Sequence, residues 1–222
     1  MKKQAVFICI AVMLCCVAMA VVDGILQPVY AIKSAVKIAL FLLIPLILSA
    51  VHKLPVVQAF RPDKWAMLMG LSLGIATFGT VMGAYALLGS YIDLSAVPEA
   101  LAQNGGISKD NFLFVALYIA FCNSLLEEFF FRSFAFMSLV KSAGKTFSYI
   151  FSSAAFAIYH AGMLIGMVNF GLFILALIAL FGCGLLFDFL NVRRQRIWVS
   201  WLVHMGANLA INMIGMNLLG IL

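Results

Sequence analysis

Four polar side chains in otherwise apolar stretches of this sequence could together activate a water molecule. Glu127 lies in the run SLLEEFFFRSF, His160 ends FAIYH, and His204 and Asn208 belong to HMGAN. A carboxylate beside an imidazole can take a proton from water. Imidazole and amide N–H groups can stabilise the oxyanion that forms when that water attacks a carbonyl. This set is sufficient for hydrolysis of a peptide bond without a covalent intermediate.

A second carboxylate lies next to Glu127, and the spacing predicts different partners for the two. Glu128 and Arg132 are four residues apart, so they meet on one face of a helix. Glu127 lies ~100° further around that helix, with Asn123 one turn before it. We therefore expect Glu128 and Arg132 to form a structural ion pair. Glu127 faces elsewhere and is the carboxylate that we expect to do chemistry.

The basic turn LVKSAGKTF predicts a helical hairpin that brings Glu127 level with His160. At ~1.5 Å per residue, each of the two side chains lies roughly 21 Å from the turn. His204 and Asn208 are one turn apart on a later apolar stretch, so they share a face. Three stretches of chain can thus direct these four groups into one cavity.

Composition identifies the chain as an integral membrane protein. It is 65% hydrophobic and 10% charged over 222 residues, with a mean hydropathy of +1.14, whereas soluble domains are about half apolar and a quarter charged. The prediction is an all-α, polytopic membrane helix bundle that forms a single domain over 1–222. Seven stretches are long enough to cross the bilayer as helices: about 4–22, 35–52, 65–91, 111–140, 146–165, 167–190 and 197–220.

The distribution of basic residues predicts a cytoplasmic amino terminus. Eleven of the fourteen Lys and Arg lie at the amino end or in 53–64, 132–145 and 193–196. The alternate loops hold the other three: Lys33, Lys37 and Lys109. This bias follows the positive-inside rule for an odd number of spans. Such scattered clusters also argue against a nucleic-acid partner, despite the net charge of +6. The first apolar run, at ~18 residues, exceeds the core of a signal peptide and is expected to be retained.

Other small and polar residues of the spans are interpreted as structural. Two GxxxG steps in the third span favour close approach of helices, and they comprise Gly70, Gly74, Gly79 and Gly83. The five cysteines have no disulfide or zinc spacing. Asp188 precedes the basic loop NVRRQR, and we interpret it as a cap or as a partner of the arginines there.

A divalent metal ion is an alternative occupant of the predicted cavity. Glu127, His160 and His204 would provide two imidazoles and a carboxylate, a set that holds zinc in known sites. The sequence lacks the HExxH motif, which is the strongest sequence sign of a zinc protease. We expect no cofactor, and zinc at these three residues remains the alternative hypothesis.

Three motifs in order resemble those of the CPBP family, the CAAX proteases and bacteriocin-processing enzymes also called the Abi family. EEFFFR at 127–132 matches EExxxR, FAIYH at 156–160 matches FxxxH, and HMGAN at 204–208 matches HxxxN. The resemblance covers about 111–215, which we interpret as a CPBP-like catalytic core. The first three spans carry no family motif and are interpreted as variable surroundings of that core.

The resemblance implies an intramembrane endopeptidase of the glutamate type. Glu127 would be the general base with His160, and His204 with Asn208 would form the oxyanion site. The second glutamate and the arginine of the first motif would support that site. The implied partners are the lipid bilayer and a membrane-associated peptide or protein substrate. The sequence does not specify an oligomeric state.

The biological setting is expected to be the cytoplasmic membrane of a bacterium. Eukaryotic members of the family cleave the end of prenylated CAAX proteins, substrates that bacteria generally lack. Maturation of a peptide or bacteriocin, self-immunity, or cleavage of a membrane-bound regulator is therefore expected. A non-enzymatic immunity or scaffold protein is the main alternative. A proton-coupled carrier is a weaker one, because the sequence shows no inverted halves.

Overall fold

The computed structural model describes residues 3–103, 106–165 and 168–222, and seven helices in these parts are long and apolar enough to cross a membrane. Each corresponds to one predicted span, which confirms the all-α polytopic bundle. The predicted start of the sixth span, residue 167, lies outside the described residues. The helices are α1 (Lys3–Leu26), α2 (Tyr30–Val51), α3 (Lys64–Tyr91), α4 (Phe112–Ala143), α5 (Lys145–Leu164), α6 (Phe170–Val192) and α7 (Trp198–Leu218). Short helices at Val56–Phe60 and Val97–Gln103 lie in the α2–α3 and α3–α4 connections.

Helix α4 is the buried centre of the bundle. It contains two stretches of wide π-helical turns, Ile119–Asn123 and Glu128–Met137, on either side of a single α-helical turn. The residues of Glu128–Met137 are all buried, and most of them are apolar, as expected of a helix surrounded by other helices. From α2, the ring of Phe41 stacks on Phe130 at 4.1 Å between centroids. Helix α4 is thereby fixed against α2 next to the two adjacent glutamates.

Helices α4 and α5 form the hairpin that the turn LVKSAGKTF predicts. Helix α4 ends at Ala143 and α5 begins at Lys145, with Gly144 alone between them. Gly144 has φ 87°, a conformation open to glycine and costly for residues with a Cβ. The two helices therefore run antiparallel from one tight turn.

Glycines bring α3 and α7 into backbone contact. A Cβ on Gly74 would lie 2.5 Å from the Leu202 carbonyl oxygen, and one on Gly206 would overlap the Gly74 carbonyl. Gly79 and Gly83 have no neighbour within 4 Å among the described residues. The GxxxG prediction is thus right for the first step and wrong for the second. The contact holds α7 in place two residues from His204.

The connections at the end of the bundle predicted to be cytoplasmic are tied together by Asp63. Its Oδ1 accepts a hydrogen bond from the Ala66 backbone N–H at 3.0 Å, which caps α3. Its Oδ2 lies 3.0 Å from Arg194 Nη1, in the connection between α6 and α7. Trp198 Nε1 donates to the Arg61 carbonyl at 3.0 Å. These contacts join the start of α3 to the start of α7.

The interpretation of Lys33 and Lys37 as loop residues is wrong. Helix α2 begins at Tyr30, five residues before the predicted start, so both lysines lie within it. They are one helical turn apart and buried, with 8% and 5% of their surface exposed. Only Lys109 then remains of the three basic residues on the alternate side. The charge bias behind the predicted orientation is therefore larger than the sequence count indicated.

Candidate active site

Helices α4, α5 and α7 bring Glu127, His160 and His204 together. The Oε2 atom of Glu127 lies 3.5 Å from His160 Nε2 and 3.6 Å from His204 Nε2. The Glu127 side chain is 1% exposed, whereas that of His160 is 13% exposed. The cluster is buried among the helices, and its more open side is at His160.

The other oxygen of Glu127 is bound by two donors. Lys37 Nζ lies 2.5 Å from Glu127 Oε1 and 2.5 Å from Asn123 Oδ1. Asn123 Nδ2 donates to the same Glu127 oxygen at 2.9 Å. Asn123 is where helix phase predicts it, but Lys37 is a site residue that the sequence interpretation missed. Its signal was the pair of lysines one turn apart in an apolar stretch, since buried ionisable residues mark functional sites.

The contacts of the Nδ1 atoms of His160 and His204 indicate whether their Nε2 atoms, which face Glu127, are donors or acceptors. His160 Nδ1 lies 2.8 Å from the Phe156 carbonyl oxygen, which can only accept, so Nδ1 carries a proton. His204 Nδ1 lies 3.1 Å from Glu128 Oε1, and a carboxylate there has the same effect. In the neutral rings, both Nε2 atoms are then acceptors. They face Glu127 Oε2, which has no hydrogen-bond partner within the described part of the chain. Three acceptors around one space suit a water molecule, which can donate its two protons to two of them.

Glu128 forms the ion pair with Arg132 that their spacing predicts. It also contacts α7, which the spacing did not predict. Its Oε2 lies 3.5 Å from Arg132 Nε and accepts a hydrogen bond from Ser200 Oγ. Its Oε1 faces His204. Glu127 and Glu128 thus diverge as helix phase predicts. The imidazole of His204 nevertheless contacts both, through its two nitrogens.

Asp188 is a partner of Arg132, and the interpretation that pairs it with the loop arginines is wrong. Asp188 is fully buried in α6, with Oδ1 3.6 Å from Arg132 Nε. Ser152 and Ser153 of α5 each donate a hydrogen bond to it at 3.4 Å. The guanidinium also lies over the ring of Phe156, 4.6 Å from its centroid. Arg132 therefore links two carboxylates beneath the histidine cluster, because a buried charge needs a partner.

Asn208 lies on the same helix as His204 and is half-buried. Its Nδ2 donates a hydrogen bond of 3.3 Å to the carbonyl of Ile119, in the first wide turn of α4. An amide nitrogen has two hydrogens, so one remains for another acceptor. The structure thus fastens Asn208 to α4, one helical turn from His204.

The described residues do not form a metal centre. No group of three His, Cys, Asp or Glu within residues 3–103, 106–165 and 168–222 is arranged to hold a metal ion. The positive charge in contact with Glu127 comes from Lys37, whose ammonium is bound to one of its oxygens. Zinc at Glu127, His160 and His204 stays a hypothesis.

Fold and site together define a multi-pass membrane protein with a buried cluster of ionisable side chains. A carboxylate and two imidazoles face one space, and each is held from behind by a charged or polar group. Such an arrangement can position a water molecule and accept its proton.

Comparison with known families agrees with this class. Residues 109–210 match the model of a family described as type II CAAX prenyl endopeptidase Rce1-like, which is part of the CPBP family. This segment contains all three motifs of the sequence. The family is one of CAAX-type intramembrane proteases. No curated protein and no solved structure matches the chain significantly.

Proposed function

We propose that this protein is an intramembrane endopeptidase in which Glu127 activates a water molecule for attack on a peptide bond. The observation that carries the proposal is the meeting of Glu127 Oε2 with the Nε2 atoms of His160 and His204, at 3.5 and 3.6 Å. The family of the segment 109–210 supports a peptidase activity.

The first step of the proposed reaction is the attack of water. Water between Glu127 and His160 gives one proton to the Glu127 carboxylate, and its oxygen forms a bond to the carbonyl carbon. The carbonyl oxygen becomes an oxyanion. When the tetrahedral intermediate collapses, the carbon–nitrogen bond breaks and the leaving amine takes the proton from Glu127. Glu127 thus acts as base and then as acid.

His204 and Asn208 are proposed to stabilise the oxyanion. His204 lies between two carboxylates, at 3.6 Å from Glu127 and 3.1 Å from Glu128. When both ring nitrogens carry a proton, Nε2 donates to the oxyanion. Asn208 contributes the amide hydrogen that Ile119 does not use. Preorganised donors of this kind are each worth on the order of 10²–10³ in kcat.

The proposed substrate is a membrane-associated peptide or protein whose scissile bond reaches membrane depth. The family's description concerns CAAX prenyl substrates, and a lipid-modified carboxyl end is one such segment. An unmodified peptide at the membrane is the other class that we propose, with the bacterial cytoplasmic membrane as the location. A lipid-modified and an unmodified series of the same peptides distinguish the two.

The test uses purified protein in lipid nanodiscs and a panel of these peptides, with products identified by mass spectrometry. Wild type is expected to cleave at least one peptide, and Glu127→Gln to lose that activity while it retains its melting temperature within a few degrees. If the Glu127→Gln variant cleaves as well as wild type, Glu127 is not the residue that activates water. If Glu127→Gln also retains the cellular phenotype, the result would support the alternative of a non-enzymatic immunity or scaffold protein.

The metal-free form of the mechanism has its own test. We expect a strong zinc chelator to leave the rate unchanged, and elemental analysis of the purified protein to show no stoichiometric metal. Loss of activity with chelator, restored by added zinc, would favour the metal-dependent alternative.

A further inference from the structure

We infer that Lys37 is a positioning residue for Glu127, contributed by a helix outside the segment that carries the family's motifs. Lys37 lies in α2, whereas the matched segment begins at residue 109. The inference rests on the proposed function of Glu127. The first three spans then do more than surround the core, because Lys37 from one of them positions the Glu127 carboxylate.

The two carboxylate oxygens of Glu127 are in different environments, and Lys37 binds one of them. Oε1 receives Lys37 Nζ at 2.5 Å and Asn123 Nδ2 at 2.9 Å. Oε2 faces the two imidazole Nε2 atoms, at 3.5 and 3.6 Å. A carboxylate held by two donors at one oxygen cannot rotate freely about its last bond. Lys37 therefore assigns Oε2 as the oxygen that meets water.

The charge of Lys37 also matters for a base in this position. A buried carboxylate without a counter-charge is costly to ionise. The groups that face Glu127 are Asn123 on its own helix, Lys37 from α2, His160 from α5 and His204 from α7. Among these, the ammonium is the cation that does not depend on histidine protonation. It keeps Glu127 in the carboxylate form that a base requires.

Lys37 is itself held in one place. Its ammonium lies 4.9 Å from the Tyr159 ring centroid and 5.5 Å from that of Phe41, distances at which a cation is attracted to an aromatic face. Phe41 in turn stacks on Phe130, three residues after Glu127. Phe41 therefore contacts both the ammonium of Lys37 and helix α4.

Lys33 provides a matched control within the same helix. It is one turn before Lys37 and similarly buried, and its ammonium lies 3.9 Å from Asp23 Oδ1 in α1. Replacing either lysine with Met removes one buried charge and keeps a similar length. The two variants therefore differ in whether the lost charge touches Glu127.

The kinetic test measures kcat and KM for the cleaved peptide. We expect Lys37→Met to lower kcat on the order of 10²-fold, the size of effect that misplacing a catalytic group can produce. KM is expected to stay within about twofold, since substrate contacts remain. Lys37→Arg is expected to recover much of the loss, and Lys33→Met to keep the wild-type kcat. A wild-type kcat in Lys37→Met, beside an inactive Glu127→Gln, overturns the inference and leaves the proposed function standing.

A second measurement does not depend on activity. Lys37→Met leaves the Glu127 charge buried without its cation, which destabilises the fold, whereas Glu127→Gln in the same chain removes that charge. We expect Lys37→Met to lower the melting temperature and the double variant to recover part of the loss. Additive changes in the two variants would overturn the inference, because a lysine that acts only through packing is not coupled to Glu127. If Lys37→Met does not fold, Lys37→Gln enters both tests, since it keeps a hydrogen-bond donor without the charge.

Discussion

The Nδ1 atom of His204 lies 3.1 Å from Glu128 Oε1, so the second glutamate of the EExxxR motif holds the histidine of the last motif. This contact fixes which ring nitrogen carries a proton. It also turns Nε2 of His204 towards Glu127. The two adjacent glutamates therefore act on the same imidazole from opposite sides.

The contact predicts a kinetic effect for Glu128→Gln. The amide keeps the shape of the side chain but removes the charge that strengthens its hydrogen bond with His204 Nδ1, so the ring that donates to the oxyanion is held less firmly. We expect kcat to fall by about 10²-fold, as for loss of an oxyanion donor. The measurement is kcat for the cleaved peptide together with the melting temperature in detergent.

Asp188→Asn is the matched control for that variant. Asp188 shares Arg132 with Glu128, at 3.6 and 3.5 Å from its Nε. We expect Asp188→Asn to lower the melting temperature and to leave kcat near that of wild type. An equal loss of kcat in the two variants would mean that the charge network of Arg132, and not the contact with His204, sets the rate.

His160→Ala is expected to abolish most activity with little effect on folding. General acid–base groups contribute about 10²–10⁴ to rate. The hydrogen bond of His160 to Phe156 is local to α5, so its loss disturbs no other helix. The prediction is checked by kcat and by the melting temperature of the same sample.

The third histidine of the chain provides the comparison for this variant. His52 follows the last residue of α2, and its ring lies 4.0 Å from that of Phe7. His52→Ala is expected to cleave at the wild-type rate. Unchanged cleavage by His160→Ala would contradict the proposed placement of the attacking water between Glu127 and His160.

Gly206→Ala is expected to destabilise the bundle and to reduce activity. The added Cβ would overlap the Gly74 carbonyl, so α7 must move away from α3 and take His204 with it. Overpacking of this kind costs typically about 1–3 kcal/mol. Thermal unfolding in detergent measures the loss of stability, and peptide cleavage measures the displacement of His204.

Gly79→Ala is the control for Gly206→Ala, because it replaces a glycine that is not at the close contact between α3 and α7. A Cβ there meets nothing within 4 Å among the described residues. Its melting temperature is expected to be unchanged or slightly raised, since alanine favours the helix more than glycine does. A fall as large as that of Gly206→Ala would contradict the close approach of α3 and α7.

The carboxyl of Asp63 predicts a pH-dependent contribution to stability. The backbone N–H of Ala66 and the guanidinium of Arg194 bind the carboxylate and lower the pKa of Asp63. Because its folded pKa lies below its unfolded one, the stabilisation is present above the unfolded value and is lost as pH falls through the folded value. We expect Asp63→Asn to melt below wild type at neutral pH, with the difference closing as the buffer becomes acidic.

Melting temperatures of the two proteins in a pH series check this prediction. Arg194→Gln should reproduce part of the effect, since it removes one of the two groups that bind the carboxylate. A difference between wild type and Asp63→Asn that stays constant down to strongly acidic pH would contradict the sign derived from the lowered pKa.

The helices, their number and the depth of the main site residues follow from the amino-acid sequence alone. A bilayer leaves the backbone of an isolated apolar segment only its own carbonyls to bond, so composition and length set the spans. The constant rise of a helix then places Glu127 level with His160. The pairing of Glu128 with Arg132 also follows from local geometry, since four residues are one helical turn.

The faces on which the helices meet depend on tertiary packing. The partners of the buried charges depend on it as well. Lys37 near the start of a span looks like a residue at the membrane interface, because lysine often extends its ammonium out of the apolar layer. Its burial against Glu127 depends on the packing of α2 on α4. Asp188 in α6 meets Arg132 in α4 for the same reason. Contacts between distant helices depend on rotation and lateral order in the bundle, which the apolar pattern of one span does not contain.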